Sequence, residues 1–171
     1  MLRREQIIGI VSSWDIRRYA GGYPVSFLSG GESEGYSVLF TDSRVVGADR
    51  PGFPDDFWAY LGPGSNVGEE LRAAALARAV EIISTRNFEM QRDKIVKVLF
   101  EEPGLIVGGS ILFVEVGCRM ELQISVLSPW SPGSISTVDT LARSISAFAP
   151  DRLYSEKTGQ RMDTSQPWRG P

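Results

Sequence analysis

The run Cys118–Val126, CRMELQISV, alternates without a break. Met120, Leu122, Ile124 and Val126 fall on one side of an extended chain; Arg119, Glu121, Gln123 and Ser125 fall on the other. Alternation with period two describes a strand with one buried and one wetted face, the habit of antiparallel sheets. Upstream, Val96, Val98 and Phe100 share a face opposite Lys97 and Glu101, and SILFVEV (110–116) is apolar on both sides through Ile111 and Phe113. The glycine-rich link 101–109 and Gly117 supply the turns, so Val96–Val126 is predicted as a bent three-strand antiparallel meander.

Two more strand signals precede it. QIIGIVSS (6–13) reads as a first strand, and GYSVLFTDSRVVGA (35–48) as a hairpin whose runs Tyr36–Phe40 and Val45–Ala48 flank Thr41-Asp42-Ser43-Arg44. No Asn-Gly or Asp-Gly is present, which predicts a longer loop built on a type I turn and held by Asp42 or Ser43 side chains. Between these signals, residues 14–35 carry turn chemistry, broken by an extended piece at Pro24–Leu28.

Two helices are predicted. NVGEELRAAALARAVEIISTRNF (66–88) combines helix-favouring alanines with an apolar stripe Leu71, Ala75, Ala79, Ile82 and Ile83, and pairs Asn66 with Glu69 as a cap. Val138, Leu141, Ile145 and Phe148 form a second stripe, with Ser136 and Asp139 as a capping box and Ala149-Pro150 as the stop. The connector 51–68 is rich in Pro and Gly around Phe57-Trp58-Ala59-Tyr60-Leu61. The division that follows is one domain over 1–153, with 51–86 as connector and inserted helix, and a flexible C-terminal tail over 154–171.

Chemistry is bounded by absences in the sequence. The chain of 171 residues contains no histidine and one cysteine, Cys118. That removes Ser-His-Asp and Cys-His machinery, His-ligated zinc and multi-cysteine metal sites within one chain. A single cysteine fits a reducing compartment, and the default location is the cytoplasm. No apolar run reaches the roughly 20 residues of a membrane span, and the N-terminal run Ile7–Val11 is too short for a secretory signal. A net charge of −3 offers no global field for nucleic acid or an anionic membrane. The expectation is a protein that is no enzyme and needs no cofactor.

The order of these signals resembles small prokaryotic pleckstrin-homology-like (PH-like) domains. The carriers are the hairpin Val38–Gly47, the strand opening Asp93-Lys94-Ile95 through Val98, the turn Pro103–Gly109 into the next strand, and a closing helix ending Phe148-Ala149-Pro150-Asp151-Arg152-Leu153. The resemblance covers about two-thirds of the chain and departs over 51–86. It implies an α+β fold: a bent antiparallel sheet or partly open β barrel, capped by the C-terminal amphipathic helix. It also implies a binding rather than a bond-making role, with a protein partner or a second copy of the chain engaged through a sheet edge or the 51–68 aromatics.

Candidate sites follow. In PH-like domains the loop after the first strand often holds lipid headgroups; here that is 15–22, where Arg17 and Arg18 would pair with phosphate oxygens and Gly21 and Gly22 would let backbone N–H groups approach. Against it, Asp15 stands beside those arginines and the chain is acidic overall. Phe57, Trp58, Tyr60 and Trp168 are interface candidates, with satellite core the favoured alternative for Phe57 and Trp58 and core an equal alternative for Trp168. Asp55, Asp56 and Glu102 are the acids that a carboxylate enzyme would use. Neighbours such as Glu101 and Glu102 alternate faces on a strand and do not converge on a metal. Cys118, without a histidine partner, reads as a small strand residue.

Overall fold

The computed structural model describes residues 5–13, 15–20, 23–27, 36–49, 58–86, 88–101, 110–115, 118–123, 132–155 and 157–162. They form an α+β fold with two open sheets. The first has the order β6-β1-β4-β5-β7, from β1 (Ile7–Ser13), β4 (Tyr36–Thr41), β5 (Arg44–Asp49), β6 (Ala59–Tyr60) and β7 (Phe88–Gln91), and is antiparallel throughout. The second has the order β11-β8-β9-β10-β2-β3, from β2 (Asp15–Ala20), β3 (Tyr23–Phe27), β8 (Ile95–Glu101), β9 (Ser110–Glu115), β10 (Cys118–Gln123) and β11 (Leu153–Ser155). All of its pairs are antiparallel except β11 with β8. The helices are α1 (Glu69–Thr85) and α2 (Pro132–Phe148).

The first sheet is a middle layer. Val38, Phe40, Val45, Phe88 and Met90 face a cluster with Leu141, Ile145 and Phe148 of α2 and Ile95, Val98 and Phe100 of β8. Ile10, Leu39, Val46 and Ala48 face the opposite way, onto Ala75, Ala79 and Ile82 of α1. A strand covered on both sides has no reason to alternate, which is why VLF and VV run unbroken in the hairpin. A bulge between Ile7 and Gly9 turns Ile8 to the α2 side while Ile10 faces α1. Phe40 and Phe148 meet edge to face, ring centres 5.9 Å apart at 67°, the geometry that the ring quadrupoles favour.

The meander is present as β8-β9-β10, and the hairpin as β4-β5. Several details differ from expectation. Val96 does not join Val98 and Phe100: a bulge between Ile95 and Lys97 puts Ile95 inside and leaves Val96 55% exposed. The hairpin loop is held by Thr41, not by Asp42 or Ser43; its Oγ1 accepts from the backbone N–H groups of Ser43 and Arg44. Gly68, not Asn66, precedes α1 and makes no side-chain cap. Leu71 lies outside the buried stripe. α2 begins at Pro132, which places Ser136 and Asp139 inside the helix rather than at its cap.

The inserted helix packs on one face of the middle sheet, over β1, β4, β5 and β6. Regular structure also continues past residue 153. β11 crosses that boundary, Ser155 N–H donates to Gln160 O, and Met162 N–H donates to Leu153 O. These bonds tie residues 154–155 and 157–162 to the second sheet's edge. Residues 163–171 lie outside the described part. Among the described residues, no helix is long and apolar enough to cross a membrane.

Candidate functional site

Arg17 and Arg18 are not in a loop. Both belong to β2, between β10 and β3, where Arg17 pairs with Glu121 and Phe27, and Arg18 with Met120 and Ser26. Residues 15–20, expected as part of a loop, form a strand. Its register with the Arg119–Gln123 strand spans a hundred residues, a pairing that local sequence does not encode. Gly21, Gly22, Phe57 and Trp168 lie outside the described residues, as do Asp55, Asp56 and Glu102.

The described part of the aromatic connector is built into the core. Tyr60 is 8% exposed, and Ala59 and Leu61 are buried with it. The Tyr60 hydroxyl donates to Pro63 O at 2.8 Å, and Arg143 of α2 stacks over the ring at 4.3 Å while donating to Gly64 O. Burial raises the Tyr60 phenol above its ordinary pKa. Tyr60 therefore fastens the connector to α2 and is buried within the chain. Trp58 is half-buried.

A charged cluster that the sequence did not announce sits at the tip of the β4-β5 hairpin. Glu5 accepts from Thr41 and Ser43 hydroxyls at 2.6 Å each, and from Arg44 through Nε and an Nη at 2.8 Å each. Arg44 also reaches Glu89 at 2.8 Å, and Arg86 approaches the same carboxylate at 3.4 Å. The hydrogen bond from Arg44 leads the donors that lower the Glu5 pKa to about 2. The same pairing raises that of Arg44. A carboxylate so saturated stays ionised near neutrality and is no general acid there. Its effect is to clip the start of β1 onto the hairpin. Among the described residues, no three His, Cys, Asp or Glu side chains are grouped to hold a metal.

The surface feature with binding character lies on α1. Its inner face is spent on Ala75, Ala79 and Ile82. Its outer face carries Ala73, Leu76, Ala77 and Val80, with Leu76 46% and Val80 69% exposed. These four recur at helical spacing as a second apolar stripe. The signal was legible in the 71–83 run, which has too many apolar residues for one buried stripe; a helix apolar all round is ordinarily covered all round. No protein-family model, no curated protein and no solved structure matches the chain.

Proposed function

We propose that the chain is a non-catalytic interaction module whose contact surface is the outer face of α1. One observation carries the reading: Leu76 and Val80, one turn apart, stand in water on a helix whose opposite face is already buried. Single exposed aliphatics are commonplace, but adjacent ones lining an uncharged strip mark contact sites. The Glu5 cluster supports the same reading, since its charged groups are committed to one another. The PH-like architecture stands within this proposal. In its favour are the antiparallel meander and the α2 stripe in the core; β11, following the helix, and the covering layer of α1 depart from it.

The test is a photo-crosslinking residue placed at Val80 in cells, with Lys157 as an exposed control position. A protein adduct at 80 and none at 157 is the expected result. An adduct of twice the chain's mass identifies a second copy, and any other mass a different protein. Absence of an adduct at 80 overturns the reading.

A further inference from the structure

In the charged cluster at the β4-β5 tip, the donors belong to the hairpin and the acceptor is brought to them. Thr41, Ser43 and Arg44 lie within four residues of one turn, and Thr41 and Arg44 are aimed without help from Glu5. Thr41 Oγ1 accepts from the backbone N–H groups of Ser43 and Arg44, which leaves its hydroxyl proton to be given elsewhere. The nearer acceptor is Glu5 Oε1 at 2.6 Å, against 3.0 Å to Arg44 O. Arg44 is held by Glu89 of β7, which takes Nη1 at 2.8 Å. The remaining edge of the guanidinium, Nε and Nη2, is then turned to the turn hydroxyls. Arg92 steadies the loop backbone, donating its N–H to Ser43 O at 2.8 Å.

The group that fills this cradle is a carboxylate. Glu5 Oε1 takes both hydroxyls and Arg44 Nε, and Oε2 takes Arg44 Nη2 at 2.8 Å. Two parallel N–H bonds to two coplanar oxygens are the fork by which arginine selects a carboxylate over a spherical anion. Glu5 arrives from two residues before β1, 36–39 residues away in sequence. Nothing in the donor set requires the carboxylate to be part of the same chain.

We propose that Thr41, Ser43 and Arg44 form a carboxylate-binding site, which Glu5 occupies as a tethered ligand and so closes to carboxylates from outside. The inference does not depend on the α1 face. Within one chain Glu5 acts at an effective concentration of at least roughly millimolar, so a free carboxylate gains the site only when Glu5 leaves it.

Chemical rescue tests the proposal in the whole chain. Glu5→Ala empties the cradle and leaves its donors in place. A ligand that binds only the folded state raises the melting temperature. With acetate at several times its dissociation constant, Glu5→Ala should melt about 2–4 °C higher than in chloride of equal ionic strength, over and above the change seen for wild type. The excess should vanish when Arg44→Lys, which keeps the charge and loses the fork, is added to Glu5→Ala. No excess for Glu5→Ala in acetate up to molar concentration overturns the proposal. So does an excess that survives Arg44→Lys, since the fork would then not be the receptor. Should Glu5→Ala fail to fold, Glu5→Gln undergoes the same comparison: a smaller excess of the same sign is expected, and its absence overturns the proposal.

Discussion

Gly9 of β1 lies directly against Ser144 of α2: a Cβ added at Gly9 would stand 2.0 Å from the Ser144 Oγ and 2.9 Å from its Cβ. The contact is how a helix comes so close to a strand. Ser144 is buried and turns its hydroxyl back onto the Thr140 carbonyl at 2.6 Å, so it presents no unpaired group to the sheet. Gly9→Ala should therefore act as an overpacking change and cost about 1–3 kcal/mol. Urea denaturation measures it. Ser144→Ala in the Gly9→Ala background should recover only part of the loss, because the Cβ remains at 2.9 Å. A Gly9→Ala midpoint equal to wild type would show that α2 does not rest on β1.

A second close approach fixes the far edge of the same sheet. Gly47 pairs with Phe88 across β5 and β7, and a Cβ at Gly47 would fall 1.8 Å from the Phe88 ring. The ring occupies the space that the missing side chain leaves, and buries itself there. Gly47→Ala displaces Phe88 and should destabilise by about 1–3 kcal/mol. Combining it with Phe88→Leu should be less costly than the sum of the two single changes, since the smaller side chain removes the collision. Strict additivity in thermal melts of the four proteins would argue against the stacking of Phe88 over Gly47.

How far the fold was legible depends on what each segment obeys. The β8-β9-β10 meander and the β4-β5 hairpin were readable because their partners are neighbours in sequence and their turns carry Gly, Pro, Asp and Ser. β2 was not: its partners are β3 and β10, and a pairing between Arg18 and Met120 leaves no local trace. Val96 was misplaced because a one-residue bulge before Lys97 switches the faces on its N-terminal side, so that Ile95 turns inward while Val98 and Phe100 keep the faces that period two predicts. The core role of Tyr60 depends on Arg143, eighty-odd residues away. The strip on α1 was present in the sequence, but a search for one buried stripe passes over a second.

The α2 stripe makes a contrast with α1 that stability measurements resolve. Leu141 and Phe148 are almost wholly buried, in the cluster shared by the first sheet and β8. Leu141→Ala should cost about 2–5 kcal/mol by lost transfer energy and a cavity, and Phe148→Ala about 3–5 kcal/mol. Leu76→Ala and Val80→Ala, whose side chains are in water, should stay within about 0.5 kcal/mol of wild type at low protein concentration. A large loss from Val80→Ala at nanomolar concentration would place that residue inside the monomer's core and remove the α1 face as a contact surface.

Acid should probe the Glu5 clip. Its carboxyl is held at about 2 against an ordinary 4.5, chiefly by the hydrogen bond from Arg44. The folded pKa is lower than the unfolded one, so below about 4.5 the unfolded chain takes up the proton first and folding loses stability as pH falls. The contribution is fully present above the unfolded pKa and disappears as pH passes down through about 2. Glu5→Gln keeps the shape and removes the charge, and should cost roughly 1–3 kcal/mol at neutral pH. The cost should shrink steadily below pH 4.5, until variant and wild type converge near pH 2. Chemical melts at pH 7, 4 and 2.5 give the three points. A gap between the two proteins that stays constant over that range would mean that Glu5 is not held ionised by Arg44, Thr41 and Ser43.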